Sequence, residues 1–291
     1  MIGSLIVVEV ERHQTYPHAS ARVLPRFTKD VVEGVAEVER YAAMLGMQFS
    51  TALALFGHRA VVDPAGAERE TWLALRAALD AGAAVFTVAA LEGRESAAVW
   101  MVDREIEVSG PVPAHLSSAE NWLTSLWLAI VARDRGILDS LAGFPVDVLR
   151  ADPAPEYVFD TVRLFQAFLR RSDGLGEALS DALRNSAPEV VTDPDEREVA
   201  NLLRFPVLAL FHHLTKPDSE PAFNAALVDA LNAHKAYWSR TEERRASAEG
   251  YVALGPLALA TIAQDMGITI TVTSDYLPAS ILDGTTEAEN G

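Results

Sequence analysis

Two stretches of this chain offer no polar face. Residues 121–135 read Asn-Trp-Leu-Thr-Ser-Leu-Trp-Leu-Ala-Ile-Val-Ala-Arg-Asp-Arg, and residues 254–266 read Leu-Gly-Pro-Leu-Ala-Leu-Ala-Thr-Ile-Ala-Gln-Asp-Met. A helix that is apolar nearly all round has to be enclosed by other elements, since any flank left to water would expose apolar surface. The pair therefore predicts a mainly α protein: a helical bundle or helical-repeat-like body built around two central helices. Their sequences also echo one another. Leu128, Ala129, Ala132, Asp134, Gly136 and Ile137 recur as Leu259, Ala260, Ala263, Asp265, Gly267 and Ile268, an offset of 131 residues. Two readings stay open: related helical halves (about 28–150 and 151–283) packed into a single domain over 1–291, or a chance likeness of Ala/Leu-rich helices that close on Gly.

The flanking segments supply the helices that would enclose this pair. Val31, Val35, Val38, Ala42 and Leu45 form one apolar stripe at three- and four-residue spacing. Asp63-Pro64 reads as an N-cap and first turn, opening a helix through Trp72, Leu75 and Leu79 that stops at Gly82. Ser117-Ser118-Ala119-Glu120 reads as a capping box. Further stripes are Val158, Val162, Phe165 and Leu169, then Leu175, Leu179 and Leu183. Asp193-Pro194-Asp195-Glu196 starts a helix through Leu203 and Leu210 to His213, kinked at Pro206, and the next carries Phe223, Leu227, Leu231, His234 and Trp238. Strand signals are confined to residues 83–108, which read as a small hairpin or three-stranded element around Glu92-Gly93-Arg94, and to residues 5–8 and 268–272. Residues 284–291 read as a disordered tail.

Composition narrows the function. With 49% hydrophobic and 22% charged residues the chain can bury a large core. The absence of Cys excludes disulfides, thiolate metal sites and a Cys nucleophile. The apolar run at residues 5–8 has no basic residue before it and is broken by Glu9 and Glu11, unlike a secretory signal. Residues 122–132, some 11 long, fall short of the roughly 20 that span a bilayer. A cytoplasmic protein is expected, with neither membrane nor nucleic acid as partner.

No catalytic, metal or cofactor site nominates itself. His212 and His213 are neighbours and diverge by about 100° on a helix, whereas metal-binding pairs use spacings of three or four. His234, placed between apolar-face positions, reads as a hydrogen-bonded core histidine. There is no Gly-x-Ser-x-Gly elbow, and Gly174-Leu175-Gly176 lacks the rest of a phosphate loop. An enzyme using His and Asp residues of the C-terminal third, or a helical scaffold, remain as other readings. What stands out is charge: 41 acids against 24 bases give −17, and from residue 151 onward there are 22 acids and 11 bases. Such an excess favours solubility and also attracts a basic partner.

The C-terminal third is more specific. The strings Asn232-Ala-His-Lys-Ala-Tyr-Trp238, Gly250-Tyr-Val-Ala-Leu-Gly-Pro-Leu-Ala-Leu-Ala260, Gln264-Asp-Met-Gly-Ile268 and Ser274-Asp-Tyr-Leu-Pro278 closely resemble the end of the immunity 49 family. Residues 119–141 resemble its upstream helix, so the likeness covers roughly residues 60–283. The resemblance implies a mainly helical immunity protein of a bacterial polymorphic toxin system, which binds and neutralises a cognate toxin without catalysis. Many such toxins act on nucleic acids and are basic, so an acidic inhibitor would complement them. The partner-binding candidates are Asp193, Asp195, Glu196, Glu198, Glu242 and Glu243 as an acidic face, with Asp275 and Tyr276 on a rim. For the last two, a purely architectural role in anchoring the C-terminal strand is the competing reading.

Overall fold

The computed structural model describes residues 7–91, 95–187, 189–217 and 219–285. The order is β1 (Val8–Glu9), α1 (Pro17–Arg40), α2 (Leu45–Val62), α3 (Arg69–Ala89), β2 (Ser96–Met101), β3 (Arg104–Ser109), α4 (Ala119–Val131) and α5 (Arg135–Gly143). There follow α6 (Val146–Leu149), α7 (Glu156–Leu169), α8 (Leu175–Asn185), α9 (Pro194–Val199), α10 (Phe205–Leu214) and α11 (Glu220–Trp238). The chain ends with α12 (Glu242–Ala246), α13 (Leu254–Asp265), β4 (Val272–Thr273) and α14 (Ala279–Asp283). The protein is mainly α with a small sheet content, as the helix periods require.

The two helices without polar faces occupy the centre and touch. α4 packs against α3, α5, α7 and α13, and α13 also meets α10, α11 and α14. Trp122, Leu128, Leu257 and Leu259 have no exposed surface. Ser118 caps α4 by accepting the Asn121 N–H at 3.2 Å, one residue later than the capping-box reading placed it. The helix ends where Arg133 turns left-handed (φ 55°), and Asp134 then caps α5 by accepting the Ile137 N–H at 3.0 Å. α13 ends at Gly267 (φ 89°), where glycine avoids the Cβ clash of that backbone. The same Arg133 fastens the two ends together, donating to Asp265 at 3.1 Å and to the Leu282 carbonyl at 2.8 Å.

Several local expectations are corrected. Residues 83–89 are the last turns of α3 and not a strand; the hairpin is only β2 and β3, antiparallel with Val99 opposite Ile106. Gly82 does not stop the helix. It is buried where a Cβ would strike Phe49 and Ser125, so a small residue lets α2 and α4 approach. The Glu92-Gly93-Arg94 turn lies outside the described residues, as do residues 5–6 and the tail from residue 286. Tyr41 is extended and divides the first stripe, leaving Leu45 to open α2. Asp63 is no direct N-cap of α3. Its carboxylate spans the connection, accepting from Glu68 N–H (2.9 Å) and the Thr71 hydroxyl (2.7 Å). By length and composition α3 would suit a membrane, yet 67% of its apolar window is buried against the rest of the protein.

The chain's far ends also meet. β1 pairs in parallel with β4, Val8 beside Val272, and one hydrophobic cluster runs from Val10 to Leu282. Leu128→Ala and Leu259→Ala each remove a fully buried side chain from the central pair. Each is expected to lower unfolding free energy by about 2–5 kcal/mol, measured by urea denaturation.

Candidate functional site

A cleft of about 540 Å³ opens between α2, α4, α11 and the α9–α10 junction. The junction shapes one wall. Pro206 brings no N–H to the helical ladder, and residues Ala200–Arg204 form a π-helical turn in which the Phe205 N–H reaches back to the Ala200 carbonyl. The expected kink at Pro206 is thus a widened turn just before it, and it delivers Val199, Leu203 and Arg204 to the cleft. Aromatic walls come from Phe49 and Phe56 of α2, Trp127 of α4, and Tyr237 and Trp238 of α11. Gly250 holds the far side close: a Cβ there would run into the Trp238 ring.

The charged lining is mostly acidic: Glu120, Glu196 and Glu249 against the guanidinium of Arg204. Arg204 pairs with Glu120, and Glu196 accepts the Tyr157 phenol at 3.0 Å. Burial, helped by Glu196, pushes that phenol's pKa up. Glu249 is exposed. Two buried N–H groups, Arg204 Nε and Trp238 Nε1, find no acceptor among the described residues.

The sequence-derived acidic face is an actual juxtaposition, because Glu198 of α9 accepts from Arg240 and Arg244, which flank and belong to α12. It is also partly self-neutralised. The bonds from Arg244 and Arg240 hold the Glu198 carboxyl below its usual range, and Arg245 with the Tyr16 phenol does the same for Glu242. Asp193 accepts two N–H groups as the cap of α9, while Asp195 and Glu243 are exposed. Glu196 belongs both to this face and to the cleft.

Asp275 and Tyr276 part company. Asp275 is exposed, 3.7 Å from the Arg12 guanidinium, beside a smaller cleft of about 350 Å³ that also holds Glu9 and Glu11. Tyr276 has no exposed surface and forms no rim. Its phenol donates to His13 Nδ1 (2.7 Å) and accepts the His13 backbone N–H (3.0 Å), which ties β4 to the segment after β1. His234 packs edge-on to the Tyr276 ring at 4.8 Å and donates to the Gly250 carbonyl at 2.9 Å, the core role its spacing suggested. The His and Asp side chains of the C-terminal third do not converge: His234 borders the large cleft, Asp275 the small one, and Asp265 pairs with Arg133. Among the described residues no three His, Asp or Glu form a metal-binding group.

A family model described as immunity protein 49 matches residues 63–281. The chain belongs to this immunity protein family. No curated protein and no solved structure matches it. The match runs from α3 into α14, including α4, the π-helical turn, α11 and α13, but not α2, which supplies Phe49, Ser50 and Phe56 to the cleft. Of the cleft residues the sequence reading singled out Glu196 as a partner-binding candidate; others escaped because their signals pointed elsewhere, Glu120 resembling a capping-box acid and Trp127 and Trp238 resembling core. The Pro206 kink also marked the α9–α10 wall.

The buried imidazoles make stability pH-dependent. Burial pushes His13 and His234 down to about 4 from 6.5. Between those pH values the unfolded chain binds more protons, so each contributes stability that falls as pH falls below about 6.5. Asp80, pushed up to about 6 by burial, contributes the opposite slope. His234→Gln keeps a donor for Gly250 and is expected to flatten the stability slope between pH 6.5 and 4, by up to about 1.4 kcal/mol per pH unit. Urea midpoints of both proteins across that window measure it, with Asp80 common to both.

Proposed function

We propose that this protein neutralises a cognate toxin by binding it, as an immunity protein of a polymorphic toxin system, and that it works in the cytoplasm without catalysing a reaction. The observation that carries the reading is the immunity-family match over residues 63–281. The charge of −17 supports a basic partner, in keeping with a toxin that acts on nucleic acid. Exposed Asp195 and Glu243, on the face where α9 meets α12, contribute to steering such a partner. The physical basis is long-range: the field acts before contact and fades as the Debye length shrinks from about 30 Å at 0.01 M salt to about 8 Å at 0.15 M. Neither nucleic acid nor membrane is assigned as a partner, since phosphate-rich surfaces repel an acidic protein.

Immunity genes sit beside their toxins, so the neighbouring gene's product is the partner to test. Co-expression is expected to relieve its toxicity, and the two proteins are expected to co-purify; toxicity unchanged by co-expression would reject the reading. The Asp195→Asn, Glu243→Gln double variant is expected to associate more slowly at low salt and to show a flatter salt dependence. Stopped-flow mixing at both salt concentrations measures this, and an unchanged rate would remove this face from the encounter while leaving the immunity function standing.

A further inference from the structure

The aromatic cleft has the chemistry of a receptor for a cationic side chain. Its lining sets three carboxylates against one guanidinium, and that guanidinium, on Arg204, is already paired with Glu120. Glu196 and Glu249 therefore leave the lining with an uncompensated negative charge. Trp127, Tyr237 and Trp238 stand beside them, and aromatic faces attract cations through the negative centre of the ring. An anion would meet those carboxylates and be repelled. A wholly apolar occupant would strip them of water and return no partner, at a cost in free energy.

We infer that the cleft receives an arginine of the toxin together with the short length of chain that bears it. This rests on the immunity reading and deepens it. Arginine suits the site better than lysine, since its planar guanidinium can stack on an aromatic ring and pair with a carboxylate at once. The protein already uses this combination on the same wall: the Arg244 guanidinium lies 3.9 Å over the Tyr237 ring while bonding Glu198. At about 540 Å³ the cleft has room for such a segment, within the roughly 300–1,000 Å³ of pockets that enclose drug-sized ligands. Glu196 makes the cleft continuous with the α9–α12 face, so a basic partner steered to that face arrives at its mouth.

The test uses the full chain, a catalytically inactive form of the neighbouring gene's toxin, and two small probes, arginine amide and its uncharged counterpart citrulline amide. Ser50→Trp adds an indole at an exposed position on the α2 wall, and Glu249→Gln removes one charge at an exposed site; neither residue belongs to the α9–α12 face. Arginine amide is expected to shift the Trp238 indole N–H resonance saturably in the wild type and not in Glu249→Gln, while citrulline amide leaves it in place. Each variant is expected to weaken toxin binding by about tenfold or more, with unchanged circular dichroism and thermal midpoint. Equal toxin affinity for wild type and both folded variants would overturn the cleft as the receptor and leave the immunity reading intact. Equal shifts from the two probes would overturn recognition of the charge. A wild type that fails to bind the toxin overturns the immunity reading, and this inference with it, whatever arginine amide does.

Discussion

The enclosure of α4 is the constraint on which the remaining packing depends. Its buried residues include Trp122, Leu123, Leu126, Leu128 and Ile130, which point in too many directions for one neighbour to cover. α3, α5, α7 and α13 surround it, and the side chains that fill the joints interlock edge to face. Trp127 meets Phe165 at 4.7 Å and 86°, and Phe165 in turn meets Phe211 at 5.0 Å. Such pairs favour T-shaped contact because the ring edge is positive and its face negative. Through them α7 and α10 take their places around the centre. Trp127 sits at the outer limit of this set, 5% exposed, and lines the cleft.

The sequence carried the helices well where an apolar stripe faced one way, as in α7, α8 and α11. Total burial was read correctly for α4 and α13, whose apolar runs are helical in length, but misled at the end of α3. Residues 83–89, Ala-Val-Phe-Thr-Val-Ala with Ala before them, have enough β-branched and aromatic character to pass for a strand. Enclosure between α2 and α4 gives them helical company, and tertiary packing overrides propensity. The site was legible in part. The acids of α9 and α12 were grouped by charge alone; the Glu242–Arg245 pair is a three-residue helical spacing, whereas Arg240 and Arg244 reach Glu198 from more than 40 residues away, and no one-dimensional pattern pairs those. Tyr276 illustrates the converse, since a distinctive string can be distinctive because it is architecture.

Net charge and local field are therefore separate quantities here. A deficit of 17 positive charges is spread over the chain, whereas the α9–α12 face is interlaced with arginine. The cleft concentrates less charge but holds it beside aromatic walls. The cleft also joins two kinds of sequence: α4, α11 and the π-helical turn lie within the family match, and α2 lies before it.

The parallel pairing of β1 with β4, clasped by Tyr276 and His13, has a consequence for how the protein comes into being. The partners of this contact lie 263 residues apart in sequence. Closing so long a span carries an entropic cost that only tertiary contacts repay, and it slows folding. On the ribosome, the segment around His13 emerges early and must wait for Tyr276. Helices α1 and α2 can pair locally in the meantime, but the buried phenol, the two imidazoles and the strand pair assemble last. The native state thus waits for residues 272–276, and a nascent chain stalled short of them would leave β1 without its partner strand and His13 without its phenol.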